Sequence, residues 1–224
     1  MKIAILGNGK MGKKISQLSK KRGHKVMCFS NSKIHTTSLN FKNIDVAIDF
    51  STPKSAFENI SYALNNNTPV ISGTTGWLDK LKQIEYLCEI KKGTFLYSSN
   101  FSLGVNIFFE LNKKLAELLK DENYKQKIHE IHHTQKMDSP SGTAISLAEQ
   151  INKVTNKTTQ ITSERIDNQI GIHQVTYTSE LDQIEIKHSA KNRDGFAIGA
   201  IIAAEWIQGK QGVYNMQDVL FKKK

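Results

Sequence analysis

The chain has 224 residues, 38% of them hydrophobic, enough for one large or two modest domains with a buried core, which excludes global disorder. Lys and Arg number 31 against 21 Asp and Glu, a formal net charge of +10 that excludes an acidic-tail or halophilic class. Such a surplus attracts anions, whether nucleic acid, headgroups, phosphorylated cofactors or small polycarboxylates, without choosing among them.

The basic runs Lys20-Lys21-Arg22 and Lys222-Lys223-Lys224 lack interleaved aromatics and any nucleic-acid motif, so both are expected to be solvated surface. Only Cys28 and Cys88 are present, in no disulfide or metal-ligand pattern, which fits a reduced, cytoplasmic setting. The first apolar run, Ile3 to Leu6, falls short of a signal-peptide core, and the longest later run, Phe196 to Ala204, is too short to span a bilayer.

Lys2 to Leu6 reads as a strand, Gly7-Asn8-Gly9-Lys10-Met11-Gly12 as a glycine turn, and Met11, Ile15 and Leu18 fall at helical spacing after it. Strands follow at Lys25 to Phe29 and Asp45 to Phe50, the second stopped by Ser51-Thr52-Pro53. Between them, Ser30 to Asn43 is rich in Ser, Thr and Asn and predicts an abbreviated loop. Helices over Ala56 to Leu64 and Leu78 to Ile90 precede strands at Pro69 to Ser72 and Thr94 to Tyr97, an open, mostly parallel sheet. After Asn100 the pattern becomes α+β: helices at Val105 to Leu119 and Thr143 to Val154, a strand at Lys127 to His133, and a hairpin of Gln174 to Ser179 with Ile184 to His188. Asn152 to Thr162 is polar enough to read as a mobile loop.

The glycine turn fits G-x-G-x-x-G between a strand and an amphipathic helix, where the backbone can approach a pyrophosphate at a helix N-terminus. The ribose-reading acid expected near Phe29 to Asn31 is missing, and Lys33 is close by, so NADPH is expected to be accepted as readily as NADH. Gly73-Thr74-Thr75-Gly76 follows another strand and reads either as a nicotinamide or ribose contact or as an ordinary turn.

Glu130 to Ala144 places an acid, two imidazoles, an amine and a helix start within 15 residues. Ser141-Gly142-Thr143 opens a run with Ala144, Leu147, Ala148 and Ile151 at helical spacing, so its free N–H groups can bind a carboxylate, although an N-cap would need only one of these residues. On a strand, His132 and His133 point to opposite faces unless the strand ends between them. On a helix, His129, His132 and His133 would share a face and offer metal ligands, but the β-like Ile128/Ile131 run, Lys136 and the absence of cysteine ligands argue for no metal. A near-neutral imidazole beside a lysine ammonium suits proton delivery to an anionic substrate. For His24, His129 and His173 a hydrogen-bonded packing role is expected.

These residues resemble the 4-hydroxy-tetrahydrodipicolinate reductase (dihydrodipicolinate reductase) family over nearly the whole chain. The pattern E-x-H-H-x-x-K-x-D-x-P-S-G-T-A is met from Glu130 to Ala144, supported by Asp49-Phe50-Ser51, Gly73 to Gly76, Asn100-Phe101-Ser102, Gly104-Val105-Asn106, and the late matches from His188 to Ala200 and Gly212 to Leu220. The resemblance implies an α/β fold, with a Rossmann-like dinucleotide-binding domain over 1–101 plus 200–224 and an α+β substrate-binding and tetramerisation domain over 102–199. It implies His132 as catalytic acid/base and Lys136 as proton donor. Substrate would be bound by His133, Ser141, Gly142 and Thr143, and NADH or NADPH by Gly7, Asn8, Gly9, Lys10, Met11, Gly12, Gly73, Thr74, Thr75, Ser98, Ser99, Asn100 and Phe101. The chain is shorter than usual for the family, near Ser30 to Asn43 and between His173 and His188.

The activity so implied is NAD(P)H-dependent reduction of a small dicarboxylate in lysine and diaminopimelate biosynthesis by a cytoplasmic homotetramer, with no nucleic-acid or membrane partner. Two alternatives stand beside it. One is another Rossmann-fold NAD(P)H-dependent reductase of a small anionic imine; the other is a non-catalytic nucleotide-sensing or nucleic-acid-binding module, suggested by charge alone.

Overall fold

A computed structural model describes residues 1–30 and 41–221, which form two compact units, Met1–Leu103 with Asp194–Lys224 and Gly104–Arg193. The first holds a six-stranded sheet in the order β10-β5-β4-β3-β1-β2, every neighbouring pair parallel. Its strands are β1 (Lys2–Leu6), β2 (Lys25–Phe29), β3 (Val46–Asp49), β4 (Val70–Ser72), β5 (Thr94–Tyr97) and β10 (Gly212–Tyr214). Ile3, Ile5, Val46 and Ile48 face one way, toward α1 (Lys10–Lys21) and the Ala- and Ile-rich α6 (Asp194–Trp206). Ala4, Leu6, Ala47 and Val70 face the other, toward α2 (Pro53–Asn65) and α3 (Leu81–Ile90), the two-sided burial that makes parallel strands nearly uniformly apolar. Thr52 starts α2 with a reciprocal cap to Ser55 and Pro53 in the first helical turn.

The second unit holds a four-stranded sheet, β7-β6-β8-β9, from β6 (Lys125–His132), β7 (Gln160–Arg165), β8 (Ile172–Thr178) and β9 (Gln183–Ser189). Phe108 and Ala116 of α4 (Leu103–Leu119) and Leu147 and Ile151 of α5 (Gly142–Thr155) share a core with Ile128, Val175 and Tyr177. Among the described residues no helix is long and apolar enough to cross a membrane.

Several elements differ from the sequence reading. The mobile loop expected at Asn152 to Thr162 is instead the end of α5, a short connection and the start of β7. β7 pairs parallel with β6, and of its six residues only Ile161 is apolar, so pairing rather than periodicity defines it. Three C-terminal elements, α6, β10 and α7 (Met216–Phe221), are further additions to the elements expected from the sequence. Positions 31–40 of the expected Ser30 to Asn43 loop, with Lys33, and the Lys222 to Lys224 tail lie outside the described residues; Phe41–Asn43 form a single 3-10 turn.

Candidate functional site

In the first unit, β1 runs into the glycine turn and α1 starts after Gly9, with no side-chain cap and no acid in its first turn. No acceptor among the described residues takes the N–H groups of Lys10, Met11 and Gly12, as an anion-binding helix start requires. Gly7 has φ +114°, and a Cβ there would overlap Phe50 O; a Cβ on Gly12 would overlap Gly7 O. Around a Cβ position at Gly9, by contrast, there is open space, so the turn is close-packed beneath and clear above, which suits a pyrophosphate. A cavity of about 450 Å³ is lined by Gly9, Lys10, Met11, Phe50, Ser51, Pro53, Gly73, Thr74 and Thr75.

Two residues that line the cavity, Ser51 and Thr74, are held by Asp49, which is fully buried at the end of β3. It accepts hydrogen bonds from Ser51 Oγ (2.6 Å), Asn59 Nδ2 (3.1 Å), Ser72 Oγ (2.9 Å) and Thr74 Oγ1 (2.7 Å), and Thr74 Oγ1 in turn accepts from Ser51 N (2.9 Å). Burial raises the Asp49 carboxyl above its ordinary range, against the lowering effect of these four donors. Of the other expected nucleotide contacts, Asn8 is exposed in the glycine turn and Ser98 to Phe101 lie after β5, outside the lining of this cavity. Ser98 Oγ donates to Asn100 O (2.7 Å), Ser99 is exposed, and Phe101 is buried with its ring 5.6 Å from that of Phe50.

In the second unit β6 ends at His132, so His132 turns inward while His133 opens the following loop. A strand here removes the helical face on which His129, His132 and His133 could have met as metal ligands. His129 instead contacts Thr162 Oγ1 (2.9 Å), and His133 lines a separate crevice of about 290 Å³ with Thr134, Gln135 and Asp167 to Ile170. His132 Nδ1 lies 2.6 Å from Glu130 Oε2 in ion-pair contact. Glu130 Oε1 accepts from Ser141 N (3.2 Å) and from Arg165 (3.1 Å), whose guanidinium also donates to Asp138 O (2.7 Å).

His173 joins this cluster from β8, its ring centroid 4.9 Å from that of His132 and its Nε2 3.1 Å from Ser141 Oγ. Glu130, His132 and His173 have ligand atoms near enough to hold a cation, but Arg165 occupies Glu130 Oε1 and the Lys136 charge bears on both imidazoles. Burial raises the Glu130 carboxyl, but hydrogen bonds from Ser141 and Ser163 and the nearby His132 outweigh it and hold the pKa at about 2. Burial lowers both imidazoles; His132 is held up in part by Glu130 and pushed down by Lys136 and Arg165, while His173 falls to about 3.

Ser141 caps α5 by accepting from Ala144 N (3.2 Å), so the N-cap role is real. It leaves the N–H groups of Gly142 and Thr143 without an acceptor among the described residues, directed off the helix start. Lys136 Nζ donates to both oxygens of Asp138 (2.7 and 2.8 Å), which lowers the Asp138 pKa.

These two sites sit inside two family models: the N-terminal model of dihydrodipicolinate reductase matches residues 1–101 and the C-terminal model residues 104–220. The chain belongs to the dihydrodipicolinate reductase family. It is 48% identical over 233 aligned positions to a 4-hydroxy-tetrahydrodipicolinate reductase of Christiangramia forsetii, and 38% identical over 239 to one of Rickettsia rickettsii, covering 98% of each chain in both cases. Among solved structures it resembles a dipicolinate-bound dihydrodipicolinate reductase from Paenisporosarcina (TM-score 0.81, 24% identity, 98% and 99% coverage). It also resembles, at 10% identity, an aspartate semialdehyde dehydrogenase II from Vibrio cholerae (TM-score 0.57, 92% and 97% coverage), a shared fold. Within the family pattern, Glu130 and Asp138 carry interactions not assigned from sequence, and outside it Arg165 and His173 do so as well. Only burial and cross-strand pairing reveal those partners, since Arg165 and His173 stand 35 and 43 residues beyond Glu130.

Proposed function

We propose that the chain catalyses NAD(P)H-dependent reduction of 4-hydroxy-tetrahydrodipicolinate to tetrahydrodipicolinate, with loss of water, in lysine and diaminopimelate biosynthesis. The first unit binds NADH or NADPH at the glycine turn; the second binds the dicarboxylate and builds a homotetramer in the cytoplasm. The observation that carries the reading is the Glu130 to Ala144 segment. It joins a buried imidazole, a lysine and a helix start with free N–H groups in one strand-loop-helix.

When bound, the reduced nicotinamide supplies hydride to C4 of the conjugated cyclic imine. The chain's own residues hold the dianion and manage the proton. Gly142 and Thr143 N–H, at the positive end of α5, take one carboxylate, with Ser141 fixing the first turn. Lys136 stands in the loop between His132 and that helix start, where its ammonium holds a carboxylate and gives a proton to the carbon next to C4 as negative charge develops there. His132, the buried imidazole, serves as acid/base, and His133 contributes a polar contact from the loop. The family's dipicolinate-bound relative from Paenisporosarcina carries a ring dicarboxylate of the same class as the substrate proposed here.

The test is oxidation of NADH and NADPH against intermediate freshly made from pyruvate and aspartate semialdehyde. Lys136→Ala and His132→Ala are each expected to lower kcat by about 10²-fold or more with NAD(P)H affinity nearly unchanged. Wild-type turnover in either variant removes that residue from the mechanism, and an inactive wild-type protein that still binds NAD(P)H points to another anionic imine as substrate.

A further inference from the structure

Three parts of the site meet at one carboxylate that is itself fully buried. Glu130 Oε1 takes two donors, Ser141 N and an Arg165 N–H, while Oε2 is 2.6 Å from His132 Nδ1. Neither Oε2 nor Nδ1 has a hydrogen-bond partner by angle among the described residues, so the contact is a close ion pair rather than an in-line hydrogen bond, and the carboxylate charge at that distance favours a proton over a bare lone pair on Nδ1 in a site shielded from water. We propose that Glu130 is the positioning residue of the reduction: it fixes a proton on His132 Nδ1, leaves Nε2 as the nitrogen that exchanges a proton with the substrate, and ties the carboxylate-binding helix start to that imidazole. The proposal rests on His132 acting as acid/base in the reading above.

Two further observations agree. Gly171 flanks the exchanging nitrogen, and a Cβ there would come within 3.1 Å of His132 Nε2, so the absent side chain keeps that side clear. Glu130 stays ionised across the working range, because its hydrogen bonds hold the pKa at about 2. The groups that bear on His132 are Glu130 on its own strand, Arg165 from β7, His173 from β8 and Lys136 from the loop, and of these only Glu130 favours the imidazolium. The arrangement acts as the acid partner of a hydrolase imidazole does, setting tautomer and orientation without itself taking the proton.

Glu130→Gln gives a sharp test. Ser141 N and Arg165 both donate to one oxygen position, so the glutamine carbonyl must stay there and its NH₂ must turn to His132. The neutral imidazole then has to accept at Nδ1 and carry its proton on Nε2. Nitrogen-15 NMR of the histidine side chains is expected to show His132 protonated on Nδ1 in the wild type and on Nε2 in the variant.

In the same variant kcat should fall by about 10²- to 10³-fold, with KM within about threefold and NAD(P)H affinity unchanged. The basic limb of the kcat–pH profile should move down by about one unit as the imidazolium loses its counter-charge. Wild-type His132 protonated on Nε2, or a variant within twofold of wild-type kcat, overturns the proposal. Should Glu130→Gln fail to fold, the wild-type spectrum alone decides it. A wild-type protein inactive on the intermediate overturns the proposed reaction instead, and the tautomer still reports on Glu130.

Discussion

Removing the Asp49 carboxylate is expected to weaken the first unit by several kcal/mol while leaving the second untouched. The side chain is fully buried and accepts from Ser51, Asn59, Ser72 and Thr74. In Asp49→Ala, Asn59 Nδ2 and Ser51 Oγ still have each other at 3.0 Å, but the Ser72 and Thr74 hydroxyls lose their acceptor inside the protein. At about 1–3 kcal/mol for each stranded buried group, the variant should lose about 3–5 kcal/mol. Asp49→Asn should be far milder. Its oxygen can serve Ser72 and Thr74, and its NH₂ can meet Asn59, whose buried Oδ1 lacks a partner and is brought round by an amide flip.

The charge adds to that contrast. Burial raises the Asp49 pKa above 3.8, so ionisation opposes folding: its contribution is fully favourable at low pH and declines as pH rises through the folded value. Asparagine removes that opposition at neutral pH, which keeps the net loss for Asp49→Asn near about 1 kcal/mol. Urea unfolding of both variants, read by linear extrapolation, measures the difference. Because Thr74 Oγ1 also holds Ser51 N beside the cavity, Asp49→Ala should bind NADH at least tenfold more weakly by fluorescence titration. Loss of less than about 1 kcal/mol in Asp49→Ala, or equal losses in the two variants, would refute the network as the source of rigidity.

The glycine turn and the histidine cluster yield two further predictions. Gly12→Ala places a Cβ against Gly7 O, so the turn must shift and NAD(P)H affinity should fall tenfold or more by calorimetry; unchanged affinity would mean that the turn does not hold the phosphates. Stability should fall with acid from about pH 6.5, because His173, with its pKa at about 3, stays neutral in the fold while its unfolded counterpart takes a proton, and then further below pH 4.5 as Glu130, held at about 2, loses the advantage of its charge. Thermal melts of wild type and His173→Gln from pH 8 to 4 check this; an identical slope between pH 6.5 and 4.5 would remove His173 as the cause.

Short apolar runs made β1 to β5 legible, sharpened by Gly7 after β1, Pro53 after β3 and Gly73 after β4, and amphipathic spacing did the same for α1 to α3, because each local signal agrees with the tertiary outcome. β7 was not, since Gln160–Arg165 has one apolar residue and becomes a strand by pairing with β6. Its register carries Arg165 to the level of His132, two residues from Glu130. α6 failed to register for the opposite reason: it is apolar nearly all round and buried through Ala197, Gly199, Ala200, Ile201, Ala203 and Ala204, so no 3.6-residue stripe marks it. The chemistry-bearing loop was readable by residue type, but the sequence could state only conditionally that His132 and His133 part company. β6 ends at His132, which lifts the opposite-face rule, and the two are separated instead by their surroundings, His132 against buried Glu130 and His133 in the crevice with Thr134 and Gln135.

Lys136 has a partner in the structure that residue type alone does not name. The sequence reading gave it a carboxylate to hold, and in the structure it holds one, that of Asp138 two residues on. Asp138 is well exposed, and an ion pair of that kind is worth only about 0–1 kcal/mol in water. On the function proposed above, a dianionic ring with its second carboxylate on the Gly142 and Thr143 N–H groups would compete for the ammonium with two anchoring points against one, and Asp138 would be displaced at small expense. Meanwhile Arg165 keeps the loop in place through Asp138 O, a backbone contact that does not depend on where the Asp138 side chain goes. On that proposal the Asp138 contact orders a long side chain and is weak enough for the lysine to exchange it for substrate.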